Sequence, residues 1–389
     1  MSKTICVLTS AHSPDDARVY HKEACSLRKK GYEVTLIAPR PSGADTGPET
    51  VTAEGVRIRY APGYSSRTER WLHLSVILRM ALTEQADAYH LHDPDLLSLG
   101  LKLLRRTGRP VIYDVHEYYG DSLRTRYWAP APLRVPLAVG FDWYEKQAAK
   151  RLAACVTVNE HMAAQFRAFN PRGAVIYNYP SASVFSRPAP AGSPPRPAEE
   201  APVILYLGGL NRERGLEVML EAMPLVRERF PRAECILAGS LDERDLHRRY
   251  RPLAPWLERG GISYLGRLPH AETPDLLRRA HIALVPLLAT LNYTKAIPVK
   301  LIEYMAAGLP VIGSDFGYIR RIVSESRCGL LARPGDPADL ARQICELLAD
   351  PAEAAAAGQR GWEAFQARYC WEQEEIKLWR LYAELIGEP

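Results

Sequence analysis

The chain has 389 residues, a formal charge of +5, and 24% charged against 47% hydrophobic residues. That is more than one comfortable core holds, ordinary for a globular protein, and without the dense basic block of a nucleic-acid partner. Its seven cysteines are scattered, odd in number and include no Cys-x-x-Cys, which argues against a disulfide framework or a zinc site and for reduced thiols.

The opening residues turn polar after a short apolar run and carry no signal-peptide core, and no later stretch approaches ~18 uncharged apolar residues. A cytoplasmic protein is expected, soluble or peripheral to the inner face of a membrane. Cations outnumber carboxylates up to Phe185 and not beyond it. The first half therefore suits an anionic partner, a membrane surface or a phosphorylated substrate, unless its arginines are simply scattered and solvated.

In chain order, Thr4–Thr9 is a short buried strand running into the polar turn SAHSPDD, where Asp15 or Asp16 caps a helix that stops at Lys29-Lys30-Gly31. Tyr32–Ala38 is the second strand. This order opens a doubly wound parallel sheet, without the G-x-G-x-x-G of a dinucleotide site. Val56–Tyr60 is a strand, Trp71–Gln85 an amphipathic helix, and Ala88–His92 a strand entering Asp93-Pro94-Asp95, which caps the next helix. Val111–Glu117 is a strand presenting Asp114, His116 and Glu117 at its carboxyl end. Two strand ends thus bring His92 and His116 to one edge of the sheet, either to bind a ligand or to pack and cap locally. Ser122–Phe141 mixes Arg124, Arg126 and Arg134 with Tyr127, Trp128 and prolines; a structured surface loop is expected there, or a contact to lipid headgroups or acceptor. Cys155–Asn159 is a strand, a helix follows, and Val175–Tyr177 is a short strand.

Between Ser186 and Pro202 stand six prolines, the composition of an extended linker. We therefore expect a first domain over 1–185, a linker over 186–202, a second domain over 203–370, and a last helix over 371–389 returning to the first domain. Val203–Leu210 restarts the pattern as a strand, followed by a helix from Leu216 to about Phe230 and strands at Glu234–Ala238, Ile262–Leu265 and Ile282–Val285. Gly208-Gly209 with Arg212 and Arg214 reads as a phosphate cradle or as a solvated turn. Leu340–Ile386 reads as three helices.

The densest stretch is Val285–Asp315. A strand stops at Pro286, and a polar loop carries Thr290, Asn292, Tyr293, Thr294 and Lys295 at a strand's carboxyl end, where open α/β sheets bind ligands. Pro298 presets a helix ended by Gly308 and Pro310 before Val311-Ile312. Lys300 and Glu303, at i and i+3, share one face. A carboxylate there can bridge two ribose hydroxyls while loop amides and the helix start face phosphate; the plainer alternative is an amphipathic helix with both side chains solvated.

The Pro-x-Lys-Leu-x-Glu-Tyr-Met-Ala-x-Gly-x-Pro-Val-Ile run from Pro298 to Ile312 resembles glycosyltransferase family 4, as do the opening TSAHSPDDARVYHKEACSLRKKGYEVTLIAP and the segments HLHDPDLL, YDVHEY, YLGGLNRERG and YLGRLPHAE. The resemblance spans nearly the whole chain. It implies an α/β chain of two Rossmann-like domains facing across a cleft, the GT-B fold, and a retaining enzyme that uses a nucleotide sugar. By resemblance Glu303 binds the ribose, the backbone at Gly266, Arg267 and Leu268 holds the base, Arg214 neutralises the diphosphate, and His116 stands beside the transferred sugar. Gly208, Gly209, Arg212, Asn292, Tyr293, Lys295 and Lys300 complete the expected donor site, with Lys295 beside His116 and Arg214 in the catalytic group. His12, Asp16, Arg18, His92 and Asp93 are the expected acceptor contacts. Two positions depart from the family: Gly209 stands where an arginine is usual, and Lys295 replaces the first of two glutamates separated by seven residues.

The expected reaction moves a hexosyl unit to an acceptor hydroxyl, on a glycan, a lipid-linked or a small-molecule acceptor, in bacterial surface polysaccharide or glycoconjugate synthesis. No cofactor is expected beyond the nucleotide diphosphate sugar as co-substrate, and no metal, since no Asp-x-Asp motif stands out. A nucleotide-sugar 2-epimerase of the same fold, or a non-catalytic nucleotide-sugar-binding protein, are the alternatives.

Overall fold

The computed structural model describes residues 2–43, 47–125, 130–185, 201–241, 246–268, 272–290 and 293–389. The chain divides into two units: Met1–Asn178 together with Trp371–Pro389, and Tyr179–Cys370. Of the proline-rich stretch, residues 186–200 lie outside the described residues.

The first unit is built on eight strands: β1 (Thr4–Leu8), β2 (Glu33–Pro39), β3 (Glu49–Val51), β4 (Arg57–Ala61), β5 (Ala88–Leu91), β6 (Val111–Val115), β7 (Ala154–Thr157) and β8 (Gly173–Val175). They lie in the order β3-β4-β2-β1-β5-β6-β7-β8. All pairs are parallel except the edge pair β3–β4. β5, β6 and β7 are buried along their whole length, as strands covered on both faces must be. After β1 the chain turns into one continuous helix. Asp16 caps it, its Oδ1 accepting from the N–H groups of Arg18 and Val19 at 2.8 and 2.9 Å. The first part, Ala17–Ala24, has π pitch; Cys25–Lys30 is α and ends at Gly31 with φ +113°, a left-handed stop that glycine adopts without strain.

Of the run from Ser122 to Phe141, residues 126–129, with Arg126, Tyr127 and Trp128, lie outside the described residues, and the rest is largely helical rather than a loop: helices cover Tyr119–Thr125 and Ala131–Ala149. Pro130 is the cap of the second and Pro132 lies in its first turn, where no intrahelical N–H is needed, so these prolines start a helix instead of preventing one. A 19-residue helix is about 28 Å long, whereas the five residues of β6 span about 16 Å. Only its later part is covered: Ala138, Glu145, Ala148 and Ala149 are buried, while Leu133, Val135, Leu137, Val139 and Trp143 are between 46% and 65% exposed.

The last helix, Trp371–Ile386, packs in the first unit. Trp371, Leu378, Leu381 and Tyr382 share a core with Ile5, Val7, Leu27, Ile112 and Ile176. Trp371 Nε1–H donates to Ser26 Oγ and Trp379 Nε1–H to the Ser26 carbonyl, both at 2.8 Å.

The second unit holds β9 (Val203–Leu207), β10 (Glu234–Ala238), β11 (Ile262–Tyr264), β12 (Ile282–Val285), β13 (Val311–Ser314) and β14 (Gly329–Ala332), in the all-parallel order β11-β10-β9-β12-β13-β14. The order reverses between β9 and β12, the switch point at which open parallel sheets leave a crevice at their carboxyl ends. All seven cysteines are free thiols.

Candidate functional site

In the second unit the carboxyl ends of β9, β10 and β11 run into tight turns at Gly208, Gly239 and Gly266. A Cβ on Gly239 would lie 1.9 Å from the Gly208 carbonyl oxygen, so only glycine lets these two turns meet. The Gly239 N–H donates to the Gly266 carbonyl at 2.7 Å. Beside them Arg214, in the turn before the helix Leu216–Arg229, is held by its own N–H on Asn211 Oδ1 at 2.9 Å and by its Nε–H on the Tyr293 hydroxyl at 3.0 Å. Lys300, from the helix Val299–Ala306, places Nζ 3.7 Å from the centre of the Tyr206 ring. That nitrogen is buried without a hydrogen-bond partner, and burial, then Arg214, push its pKa well below that of an ordinary lysine although Glu303 acts in the opposite sense. Two cations and a carboxylate thus stand together at the ends of the strands, with one ammonium lacking an anion. Such a place favours phosphate oxygens.

In the first unit the carboxyl ends of β5 and β6 carry a different group. Asp114 is its hub. Arg18 grips it with Nη2–H at 2.8 Å and Nε–H at 3.1 Å, and His116 Nε2, His92 Nδ1 and His90 Nε2 lie 3.4, 3.7 and 3.9 Å from its oxygens. Arg18 also lies 3.0 Å from Glu23. The π pitch of Ala17–Ala24 explains this, since it aligns residues five apart. His92 Nδ1 is 3.2 Å from His116 Nε2, and the rings of His90 and His92 stack at 4.6 Å. Tyr382 of the last helix reaches His90 Nδ1 at 2.9 Å.

Burial works to raise the Asp114 pKa, but Arg18 and His116 outweigh it and hold the group well below the usual carboxylate range. Glu23 moves the other way, pushed well up by burial and by Asp114. Burial also pushes His90 down to about 4 and His92 well below an ordinary imidazole. Glu23, His90, His92 and Asp114 lie close enough, with donor atoms within 4.8 Å of one another, to be weighed as a metal site. The Arg18 guanidinium already lies on both carboxylates, so the donor set does not fit a divalent cation as it stands.

At the rim, His12 Nδ1 is 3.3 Å from Asp93 Oδ1 and 3.2 Å from Thr9 Oγ1. Asp93 does not cap the helix after β5. It turns back and accepts from the Thr9 hydroxyl and the Ser10 N–H, both at 2.7 Å. Burial opposes the charge on both groups, yet their mutual hydrogen bond raises His12 and keeps Asp93 far below an ordinary carboxylic acid. Arg70 grips Asp95 by Nε–H and Nη2–H at 2.8 and 2.7 Å, and Ser10 Oγ–H donates to Asp95 at 2.9 Å.

The structure therefore brings Gly208, Gly209, Arg214, Tyr293, Lys300 and Glu303 together in the second unit, and His12, Asp93 and His116 together in the first. Four expected contacts stand otherwise. Arg18 and His92 are buried, 4% and 0% exposed, with their polar atoms turned to Asp114, Glu23 and His116, so they stand behind the strand-end edge instead of lining it. Asp16 spends its Oδ1 on the helix cap. Arg212 points to solvent, its side chain 62% exposed and its Nε 3.7 Å from Glu217 Oε2. The Gly208 N–H is committed to the Ala238 carbonyl at 2.8 Å, which leaves Gly209, not Gly208, to offer an amide. Gly266 is half-buried in open space, Arg267 is exposed and Leu268 half-buried. Lys295 is half-buried, and Asn292 lies outside the described residues. Tyr206, Glu23, His90 and Tyr382 went unremarked in the sequence; the alternation of His90 with His92, two residues apart on one face of a strand, was the available signal.

Residues 17–178 match the glycosyl transferase 4-like domain family, and residues 201–350 match the family of glycosyl transferases group 1. Over 370 residues the chain is 27% identical to the phosphatidyl-myo-inositol mannosyltransferase of Mycobacterium leprae, covering 92% of this chain and 89% of that one. It is 23% identical over 379 residues to glycogen synthase of Mycobacterium tuberculosis, covering 91% and 87%. Among solved structures, sucrose-phosphate synthase from Thermosynechococcus elongatus superposes with a TM-score of 0.74 at 20% identity over 99% of both chains. Anabaena HepE in complex with UDP does so with 0.66 at 16% identity, over 98% of this chain and 100% of that one. Two parallel-sheet units of this kind define the GT-B class of glycosyltransferases. The chain belongs to glycosyltransferase family 4.

Proposed function

We propose that this glycosyltransferase moves a hexosyl unit, with retention, from a nucleotide diphosphate sugar held by the second unit to an acceptor hydroxyl held by the first. The observation that carries the donor half is the unpartnered ammonium of Lys300 beside Arg214 and Glu303. The leaving diphosphate gains negative charge as the glycosidic bond breaks, and preorganised cations meet that charge without reorganising. Lys300, Arg214 and the Gly209 amide are the groups for it, and Glu303 the carboxylate for the ribose. In this reading the two side-chain cations take the part a metal ion plays elsewhere, and transfer proceeds in the presence of a chelator.

The reading extends to a lipid-linked acceptor, in surface polysaccharide or glycoconjugate synthesis, with the protein resting on the inner face of a membrane. Leu133, Val135, Leu137, Val139 and Trp143 leave one helix apolar where it is uncovered, and Arg124, Arg134, Lys146, Lys150 and Arg151 surround that stretch in sequence. Apolar side chains with flanking cations suit an anionic bilayer surface.

The test is a panel of UDP, GDP and TDP sugars scored by thermal stabilisation, because a ligand that binds only the folded chain raises its melting temperature. One base should stand out and Glu303→Ala should abolish its effect. An equal response of Glu303→Ala and the parent chain would overturn the assignment.

A further inference from the structure

His116 is the half-exposed end of a chain of buried groups, and the geometry restricts which of its nitrogens carries the proton. Its Nε2 faces inward, 3.2 Å from His92 Nδ1 and 3.4 Å from Asp114 Oδ1. Only one of the two facing imidazole nitrogens can hold a hydrogen when both rings are neutral. Asp114 decides between them. Arg18 grips both of its oxygens and keeps it ionised, and its Oδ1 lies 3.4 Å from His116 Nε2, nearer than its Oδ2 lies to His92 Nδ1 at 3.7 Å. The other nitrogen of His92 lies 3.6 Å from Glu23 Oε2, so a hydrogen on that side faces a carboxyl group while Nδ1 keeps its lone pair. His90 follows the same pattern: Tyr382 meets its Nδ1 and its Nε2 faces Asp114.

We propose that Arg18, Asp114 and His92 act as positioning residues that lock neutral His116 as the Nε2–H tautomer, so that its outward Nδ1 offers a lone pair. In that state His116 accepts a hydrogen bond from a hydroxyl of a bound sugar or acceptor, and discriminates against ligands that present only acceptor atoms there, such as a carboxylate or a phosphate oxygen. This rests on the reading of the first unit's edge as a ligand site. The buried histidines then have a task beyond packing. His92 supplies the acceptor for Nε2–H, the Arg18–Asp114 pair supplies the fixed charge, and Tyr382 ties the assembly to the last helix.

The experiment is long-range nitrogen–proton correlation on the full chain labelled with nitrogen-15 at histidine, at a pH where His116 is neutral, with its signal assigned by its loss in His116→Gln. The expected result is a hydrogen on Nε2 and none on Nδ1 of His116. Finding the hydrogen on Nδ1 overturns the proposal, and beyond the His116→Gln chain used for assignment this measurement is made on the parent protein. Asp114→Asn and His92→Phe, which keeps a ring stacked on His90, should each mix the tautomers. They should also lower kcat at least about tenfold while the donor KM stays within about twofold, as for a group that orients another. An unchanged tautomer in both folded variants overturns it too. Donor binding to the second unit is read separately by thermal stabilisation, so failure of the glycosyl-transfer reading leaves the tautomer result standing, and the reverse.

Discussion

The ammonium of Lys300 rests 3.7 Å from the centre of the Tyr206 ring and has no hydrogen-bond partner among the described residues. A diphosphate arriving beside it restores the full charge, so nucleotide binding should take up a proton. Because the Lys300 pKa is depressed in the free protein, the affinity should weaken as pH rises above that depressed value. Calorimetry in two buffers of different ionisation heat counts the protons; zero uptake across the range would refute the assignment.

Lys300→Met should separate stability from binding. A methionine fills the same space over Tyr206 without a buried charge, so the free protein should be as stable as the parent or more so. Between the depressed folded pKa and the ordinary value near 10.5 the unfolded chain binds the extra proton. Parent stability from this group therefore rises with pH in that window, and the methionine variant should lack the slope. Its affinity for the nucleotide should fall about 10- to 100-fold, the loss of one charged hydrogen bond.

Glu145 gives a second pH signature. It is 9% exposed, accepts from the Tyr113 hydroxyl at 2.7 Å, and burial pushes it up to about 7 from an ordinary 4.5. Between those values the folded chain holds a proton that the unfolded chain has released. Raising the pH through that window should remove up to roughly 3 kcal/mol of stability. Glu145→Gln keeps an acceptor for Tyr113 and loses the titration, so denaturant midpoints measured from pH 4.5 to 8 should fall less for the variant. Parallel curves would rule the effect out.

The apolar helix face is tested by charge. Val135→Glu with Leu137→Glu places two carboxylates on a surface already exposed by 58% and 46%, so folding stability should shift by less than about 0.5 kcal/mol per site. Flotation with phosphatidylglycerol vesicles should drop at least about tenfold, since each buried apolar side chain contributes roughly 1.5–3 kcal/mol. Flotation equal to the parent's would dismiss the bilayer as the occupant.

Leu378 of the last helix is fully buried in the core of the first unit. Leu378→Ala should cost about 2–5 kcal/mol. The loss should show as lower amide protection in β1 and in the helix after it, with the second unit's amides unaffected. Uniform loss across both units would contradict the assignment of this helix to the first.

Parallel strands are easy to read because helices cover both faces and the sequence becomes a short apolar run, as in Val203–Leu207 and Ile282–Val285. β3 (Glu49–Val51) shows the limit: all three residues are exposed, so nothing apolar marks it. Pro130 and Pro132 mislead for a different reason, since the cap and first turn of a helix accept what its interior refuses, and only Pro136 stands inside this one. At the site, Glu303, Arg214 and His116 follow from motif and strand ends. Arg18 does not, because its partner Asp114 is 96 residues away in sequence. A charged side chain in a polar turn looks solvent-facing until that partner is placed. Lys300 shows both sides: its helix and the face it shares with Glu303 are legible, while the aromatic ring beneath it is contributed by β9 and is not.

The return of Trp371–Ile386 to the first unit inverts the order in which the protein can mature. On the ribosome the amino-terminal sheet emerges first, yet its face beside Ile5, Leu27 and Ile176 stays open until Trp371, Leu378 and Tyr382 have been made. The unit encoded between them can close earlier, from residues already in hand. What is translated first is therefore completed last, and a nascent chain carries an uncovered apolar surface for most of its synthesis, the interval in which a chaperone has something to hold.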